Sequence, residues 1–271
     1  MLRGLETPGS MANMSQYFQS VALSDVGLHR TENEDSGWAG AKVLAVADGL
    51  GGHAGGEIAS SLAIKKISQL EKLSLNQRNA ETTMVETFLQ INSALALEMK
   101  NKSELRGMGT TLTTIIIGKE RSFLAHLGDS RAYLIRNSKI EQLTKDHTVV
   151  QELLDQGRIS ADEIDGHPQR SFITKALMGA TQHERPDFTE LELNNGDHLL
   201  LCSDGLAGVV DEAKIRKAIE SHGVSEGALS ELKALAYKKG APDNLTIIVA
   251  TVSSEKKSNP GFIGAAQGGE K

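Results

Sequence analysis

The chain has 271 residues, 39% hydrophobic and 24% charged, with a formal net charge of −6. That is enough apolar material for a sizeable core. The acidic balance argues against a generic binder of nucleic acid or anionic membrane, which would carry a basic patch. A single cysteine, Cys202, excludes a disulfide framework and a cysteine-rich zinc site, and no stretch approaches the ~18–20 apolar residues that span a bilayer.

In chain order, the opening MLRGLETPGSM reads as an expression leader, so residues 1–13 are set apart from a domain expected over 14–252. Residues 17–27 alternate as a strand, and a polar loop containing RTENED comes next. VLAVA (43–47) is a short apolar run that ends in Asp48 and a glycine-rich turn, the mark of a buried strand. Residues 56–72 and about 80–100 carry apolar side chains at helical spacing. From 109 to 143 the chain reads as consecutive antiparallel strands, because the separators are too short for parallel crossovers. Residues 146–170 form a polar excursion with short helices. A strand pair (187–193 and 197–203), two helices and a closing strand, NLTIIVATV, complete the pattern. The Gly, Ser and charge content of 253–271 predicts a flexible tail or linker. Cys202, inside LLLCSDG, is expected to be buried and inert.

Four strand ends carry an aspartate beside Gly, Ser or Asn: Asp48 in VADG, Asp129 in LGDS, Asp204 in CSDG and Asp243 in APDN. Any one of these is an ordinary turn. Together, on the strands of one sheet core, they predict carboxylates converging at one edge, where mutual repulsion is costly. Divalent cations turn that repulsion into binding energy. Oxygen-only ligands suit hard ions such as Mg²⁺ or Mn²⁺, and a pair of such ions is a device for in-line displacement at phosphorus. Arg30, just before the first acidic strand, is placed to supply a bidentate fork to phosphoryl oxygens.

RTENED (30–35), DGLGGHAGG (48–56), GMGTT (107–111), GDSR (128–131), SDGL (203–206) and Asp243-Asn244 occur in this order. The set resembles the metal-dependent protein serine/threonine phosphatases, the protein phosphatase 2C-like enzymes, in their compact bacterial branch. The resemblance covers about residues 17–252. It implies an α+β fold, a four-layer α-β-β-α sandwich of two antiparallel sheets flanked by helices, with a flap over about 146–180. It also implies hydrolysis of phosphoserine and phosphothreonine in proteins by a metal-bridging water or hydroxide, opposing Ser/Thr kinases. Two Mn²⁺ or Mg²⁺ ions form the core, with a third, weaker site. Asp48 and the Gly49 carbonyl, Asp204 and Asp243 fall to the two core metals. Asp129 with Asp204 falls to the third, and Glu34 and Asp35 act through metal-bound water or nearby. Arg30 binds phosphate, and Asn244 orients Asp243. Thr110 and Thr111 are expected to be structural.

One departure stands out: the histidine that eukaryotic relatives carry directly after Asp-Gly is Leu50 here. The leaving serine alkoxide needs a proton, which leaves His53 or metal-bound water as its source. The expected partners are phosphorylated proteins, Ser/Thr kinases and their substrates, met by a monomer with no nucleic-acid or membrane-inserted part. The expected setting is the cytoplasm, free or as the cytoplasmic domain of a membrane-anchored protein. Two other classes fit some of these features. A non-catalytic binding member of the family would show an incomplete ligand set, and a metal-dependent nuclease or nucleotide hydrolase would show a basic groove or a Gly-Lys-Ser/Thr loop.

Overall fold

The computed structural model describes residues 15–51, 55–180, 184–257 and 260–268. Its strands are β1 (Tyr17–Asp25), β2 (Ser36–Ala39), β3 (Val43–Ala47), β4 (Gly49–Leu50), β5 (Gly109–Thr110), β6 (Leu112–Ile117), β7 (Ser122–Leu127), β8 (Arg131–Arg136), β9 (Lys139–Gln142), β10 (Asp187–Leu191), β11 (His198–Cys202), β12 (Leu245–Ser253) and β13 (Gly261–Gly264). The α-helices are α1 (Gly56–Ile67), α2 (Ala80–Asn101), α3 (Val149–Asp155), α4 (Asp204–Ala207), α5 (Glu212–His222) and α6 (Glu226–Lys238).

Two antiparallel sheets lie face to face. One has the order β1-β12-β11-β8-β9, the other β10-β7-β6-β3-β2-β13. Alternation along each strand sends side chains to two faces, and both faces are buried. In β3, Val43, Ala45 and Ala47 pack toward α1 and α2, whereas Leu44 and Val46 point between the sheets. In β12, Ile248 and Ala250 fill the layer between the sheets, and Ile247 and Val249 pack toward α5 and α6. This double burial is why both strands read as continuous apolar runs rather than alternating ones. The result is the four-layer α-β-β-α sandwich expected from the sequence.

Two expectations need correction. Residues 36–38, read as the end of a polar loop, belong to β2, a four-residue strand paired to β3. Residues 260–268, read as flexible tail, instead form β13, antiparallel to β2, and then a short 3-10 helix at Ala265–Gly268. The apolar pair Phe262-Ile263 explains it: the Phe262 ring lies 4.6 Å from that of Trp38, and Ile263 packs into the layer between the sheets. The leader expected over 1–13 lies outside the described residues.

The segment expected as a flap leaves the body after β9 and returns before β10. It contains α3, whose N-terminus is capped by the Thr148 side chain; the isolated bridge Thr148↔Ile173 closes the segment on itself, and Thr110↔Leu177 ties it to the body. No helix among the described residues is long and apolar enough to cross a membrane.

Candidate metal centre

The four aspartates occupy the strand ends that the sequence marked. Asp48 comes directly after β3, Asp129 lies in the turn by which the chain crosses from β7 to β8 and so from one sheet to the other, Asp204 lies just past β11, and Asp243 precedes β12. Glu34 and Asp35 stand immediately before β2. The two sheets therefore deliver acids from both layers to one edge of the sandwich.

Main-chain pinning is extensive here. The Asp48 N–H donates to Thr111 Oγ1 at 2.9 Å, and its carbonyl accepts from the Thr110 hydroxyl and the Thr111 N–H, both at 2.9 Å. Thr111 Oγ1 also pairs with Ser130 Oγ beside Asp129 (2.9 Å). The structural role expected of the two threonines is thus the immobilisation of the Asp48 peptide. Gly49 has no room for a side chain: a Cβ there would lie 2.4 Å from the Gly56 carbonyl oxygen and 2.5 Å from that of Glu34.

The carboxylates couple to one another. Burial pushes Asp48 well above the usual carboxylate range, and the charges of Asp35, Asp204, Asp129 and Asp243 push it further. Burial likewise raises Asp129, helped by Asp204 and Asp146. Asp204 stands at about 6, raised by burial and by Asp243, with Arg30 and a hydrogen bond to Asp48 pulling the other way. Burial raises Asp35 to about 7, although Ser203 Oγ donates to its Oδ2 at 2.7 Å. Glu34 is raised by burial and by Glu57.

Whether ions fit here is decided by the orphaned atoms. Among the described residues, the buried side-chain polar atoms without a hydrogen-bond partner are Asp35 Oδ1, Asp129 Oδ1 and Asp204 Oδ1. Buried carboxylate oxygens without a partner are expensive, and all three belong to this edge. Among the described residues no three Asp, Glu, His or Cys side chains are gathered closely enough to hold a metal ion by themselves. The edge is open, which suits hard cations that keep part of their shell as water.

Arg30 and Asn244 are placed differently from expectation in detail. Arg30, nearly half exposed, donates from Nη2 to Asp243 Oδ2 at 2.8 Å, and that bond foremost raises its pKa. In this state the guanidinium is held by an acid of the metal edge. Asn244 reaches the Asp243 carboxylate through its backbone N–H (2.8 Å). Its side chain instead fastens the acidic loop, accepting from the Glu34 N–H (2.8 Å) and donating to the Val26 and Glu32 carbonyls (2.9 Å each). His53 lies outside the described residues. Cys202 is fully buried, with its thiol pushed up to about 12 by that burial, and is inert as expected.

Sequence reasoning missed the hydroxyls Ser130, Ser203 and Thr246. The first two adjoin Asp129 and Asp204, and that adjacency was the available signal. It also missed the ion pair in which Arg131 grips Asp146 at the root of the flap, with Nη2 2.6 Å from Oδ2. Asp129, Arg131, Asp146, Arg170, Asp204 and Asp243 all line a cleft of about 290 Å³ between flap and metal edge.

Comparison with known proteins agrees with this geometry. The family profile for Protein phosphatase 2C matches residues 10–245. The serine/threonine protein phosphatase PstP of Mycobacterium tuberculosis is 44% identical over 246 residues, covering 89% of this chain and 46% of that protein. The chain therefore spans about half the length of that relative. The protein phosphatase PhpP of Streptococcus pneumoniae is 34% identical over 239 residues, covering 86% of this chain and 97% of that protein. A crystal structure of the PstP catalytic domain in complex with two manganese ions superposes with a TM-score of 0.80 at 41% identity, covering 88% of this chain and 99% of that one. On sequence and on fold alike, this chain belongs to the protein phosphatase 2C family.

Proposed function

We propose that the chain is a metal-dependent phosphatase that hydrolyses phosphoserine and phosphothreonine in proteins, opposing Ser/Thr kinases. The observation that carries this reading is the set of unpartnered buried oxygens on Asp35, Asp129 and Asp204 at the edge shared with Asp48. Asp48, Gly49, Asp204 and Asp243 would hold two Mn²⁺ or Mg²⁺ ions, with Glu34 and Asp35 beside them and Asp129 serving a third site. Bound there, such ions supply a nucleophile at neutral pH and a clamp for phosphoryl oxygens.

The chain's own residues do the rest. The Thr110–Thr111 clamp fixes Asp48, so its carboxylate needs no reorganisation when charge develops nearby. Arg30 offers a planar fork to the phosphate dianion. Its present partner, Asp243, is one of the acids that would hold an ion, so Arg30 would be free to turn from that acid to the phosphate once the acid is otherwise engaged. The cleft under the flap seats the flanking peptide.

On this reading the partners are phosphorylated proteins, kinases and kinase substrates. They meet the chain as a monomer in the cytoplasm, free or as part of a membrane-anchored protein. The relative PstP carries the name of a serine/threonine protein phosphatase, which supports the substrate class.

Phosphate release from a phosphothreonine peptide, measured with Mn²⁺ and with chelator, tests the proposal, with ATP and single-stranded DNA assayed alongside. Release that requires Mn²⁺ and favours the peptide is the expected result. Activity indifferent to metal, or confined to ATP or DNA, would overturn it.

A further inference from the structure

Residues 260–268 lie beyond the part of the chain that the family profile matches, yet they reach the metal edge. β13 pairs with β2 in the register Gly264↔Ser36, and immediately after it the Ala265 N–H donates to the Asp35 carbonyl at 2.8 Å. Gly264 has φ +66, in the left-handed region, and a Cβ placed there would stand 2.2 Å from the same Asp35 oxygen. Backbone so close to backbone leaves no slack between the segment and Asp35.

The segment is anchored on both faces. Phe262 packs at a tilt against Trp38 and Ala266 is buried beside α1, while Ile263 enters the layer between the sheets. Across β2 from it, Ser36 Oγ pairs with Ser60 Oγ of α1 at 2.9 Å, and Ser60 Oγ donates to the Glu34 carbonyl at 2.5 Å. The Glu34–Ser36 backbone is therefore gripped from α1 on one side and from the C-terminal segment on the other. Asp35, which adjoins the grip, carries one of the unpartnered buried oxygens.

We propose that residues 261–268 are a strap that positions the Glu34–Asp35 acidic pair for metal binding, so that displacing the strap lowers the affinity for divalent ions. The inference rests on the metal reading above and adds a handle to it. The chain beyond β12 bears on the site through the Asp35 peptide. Groups that support a metal-binding residue from behind are commonly worth 10–100-fold in affinity. The strap acts on the main chain of one acid, which puts it near the low end, about tenfold. Coupling of this kind is reciprocal: if the strap favours the ions, the ions favour the docked strap.

The test uses the whole chain, with Mn²⁺ alone as probe. Calorimetric titration compares wild type with Gly264→Ala, which forces a Cβ toward the Asp35 oxygen, and with Gly268→Ala, where a Cβ meets nothing within 4 Å. The expected result is a Kd about tenfold weaker for G264A and unchanged for G268A. Hydrogen exchange at the Ala265 amide, tracked in wild type where it exchanges faster than the β12 core amides and so by local opening, is expected to slow on adding Mn²⁺, a response that a merely stabilising tail would not give. Equal Kd values for G264A and wild type, or an Ala265 amide indifferent to Mn²⁺ that the wild type binds, would overturn the strap while leaving the metal reading standing. Wild type that binds no Mn²⁺ would overturn both.

Discussion

Replacing Asp204 with Asn should stabilise the metal-free protein while destroying its response to metal. The Asp204 carboxyl stands at about 6 in the fold against 3.8 as a free group, with burial and the Asp243 charge as the main causes. Each tenfold change in proton affinity is worth about 1.4 kcal/mol, so ionising Asp204 at about pH 7.5 costs the fold about 3 kcal/mol. Asn is nearly isosteric and uncharged, so the substitution removes the charge with little change of shape. For a domain of this size about 3 kcal/mol corresponds to a rise in Tm of roughly 6–12 °C, an upper figure. The assay is thermal unfolding in chelator and in saturating Mn²⁺. Wild type should melt lower than Asp204→Asn in chelator and gain stability with Mn²⁺ by mass action; the variant should gain little. A metal-free variant that melts at or below wild type would refute the claim that crowded charge, rather than packing, limits the stability of this edge.

The remaining predictions concern the same edge. Asp48→Asn should abolish Mn²⁺-dependent turnover, whereas Arg30→Ala should act chiefly on KM; initial-rate kinetics on a phosphopeptide separate the two, and an Arg30→Ala change confined to kcat would contradict a phosphate-binding role. Thr111→Val leaves the Asp48 N–H and the Ser130 hydroxyl without a partner and should cost about 1–3 kcal/mol in denaturant unfolding, a loss too small to detect being the contrary result. Asp35 and Asp204, raised to about 7 and about 6, make the native state bind more protons than the unfolded chain above about pH 4. The contribution of these two groups to metal-free stability is therefore fullest below about pH 4 and falls as pH rises through 6 and 7; Tm measured in chelator between pH 6 and 7 checks the sign, and a rise over that interval would contradict the assignment.

The aspartates were legible in the sequence because a carboxylate at the tip of a buried apolar strand is an anomaly, and four such anomalies demand a common cause. The strands themselves were legible for a related reason: β3, β6, β11 and β12 are buried on nearly every residue and read as apolar and β-branched runs without a polar alternation. β2 and β13 escaped because four residues, two of them glycine in β13, carry no period that a composition window can register. The tail from 253 is polar on average, and that average hid Phe262 and Ile263. Thr246 was unreadable as a support, since hydroxyls are common and only pairing across strands reveals what each one holds. Arg30 was correctly singled out, yet its grip on Asp243 could not be read, because more than two hundred residues separate the partners.

The order of the strands also explains why the repulsion persists instead of relaxing away. A flexible loop carrying the same acids would splay until the charges separated, and ions would then have to gather them again at an entropic cost. Here Asp129 sits where the chain passes between sheets, Asp48 is clamped by two threonines from β5 and the β5–β6 junction, and Asp35 is held by its own hydrogen bonds. The main chain cannot move without breaking ladder bonds in one sheet or the other. The carboxylates respond by taking up protons, which is what their raised pKa values express. A divalent ion held by these carboxylates would replace those protons without moving the backbone, so the work of assembling the centre would already be done during folding, and binding would convert destabilisation already present into affinity.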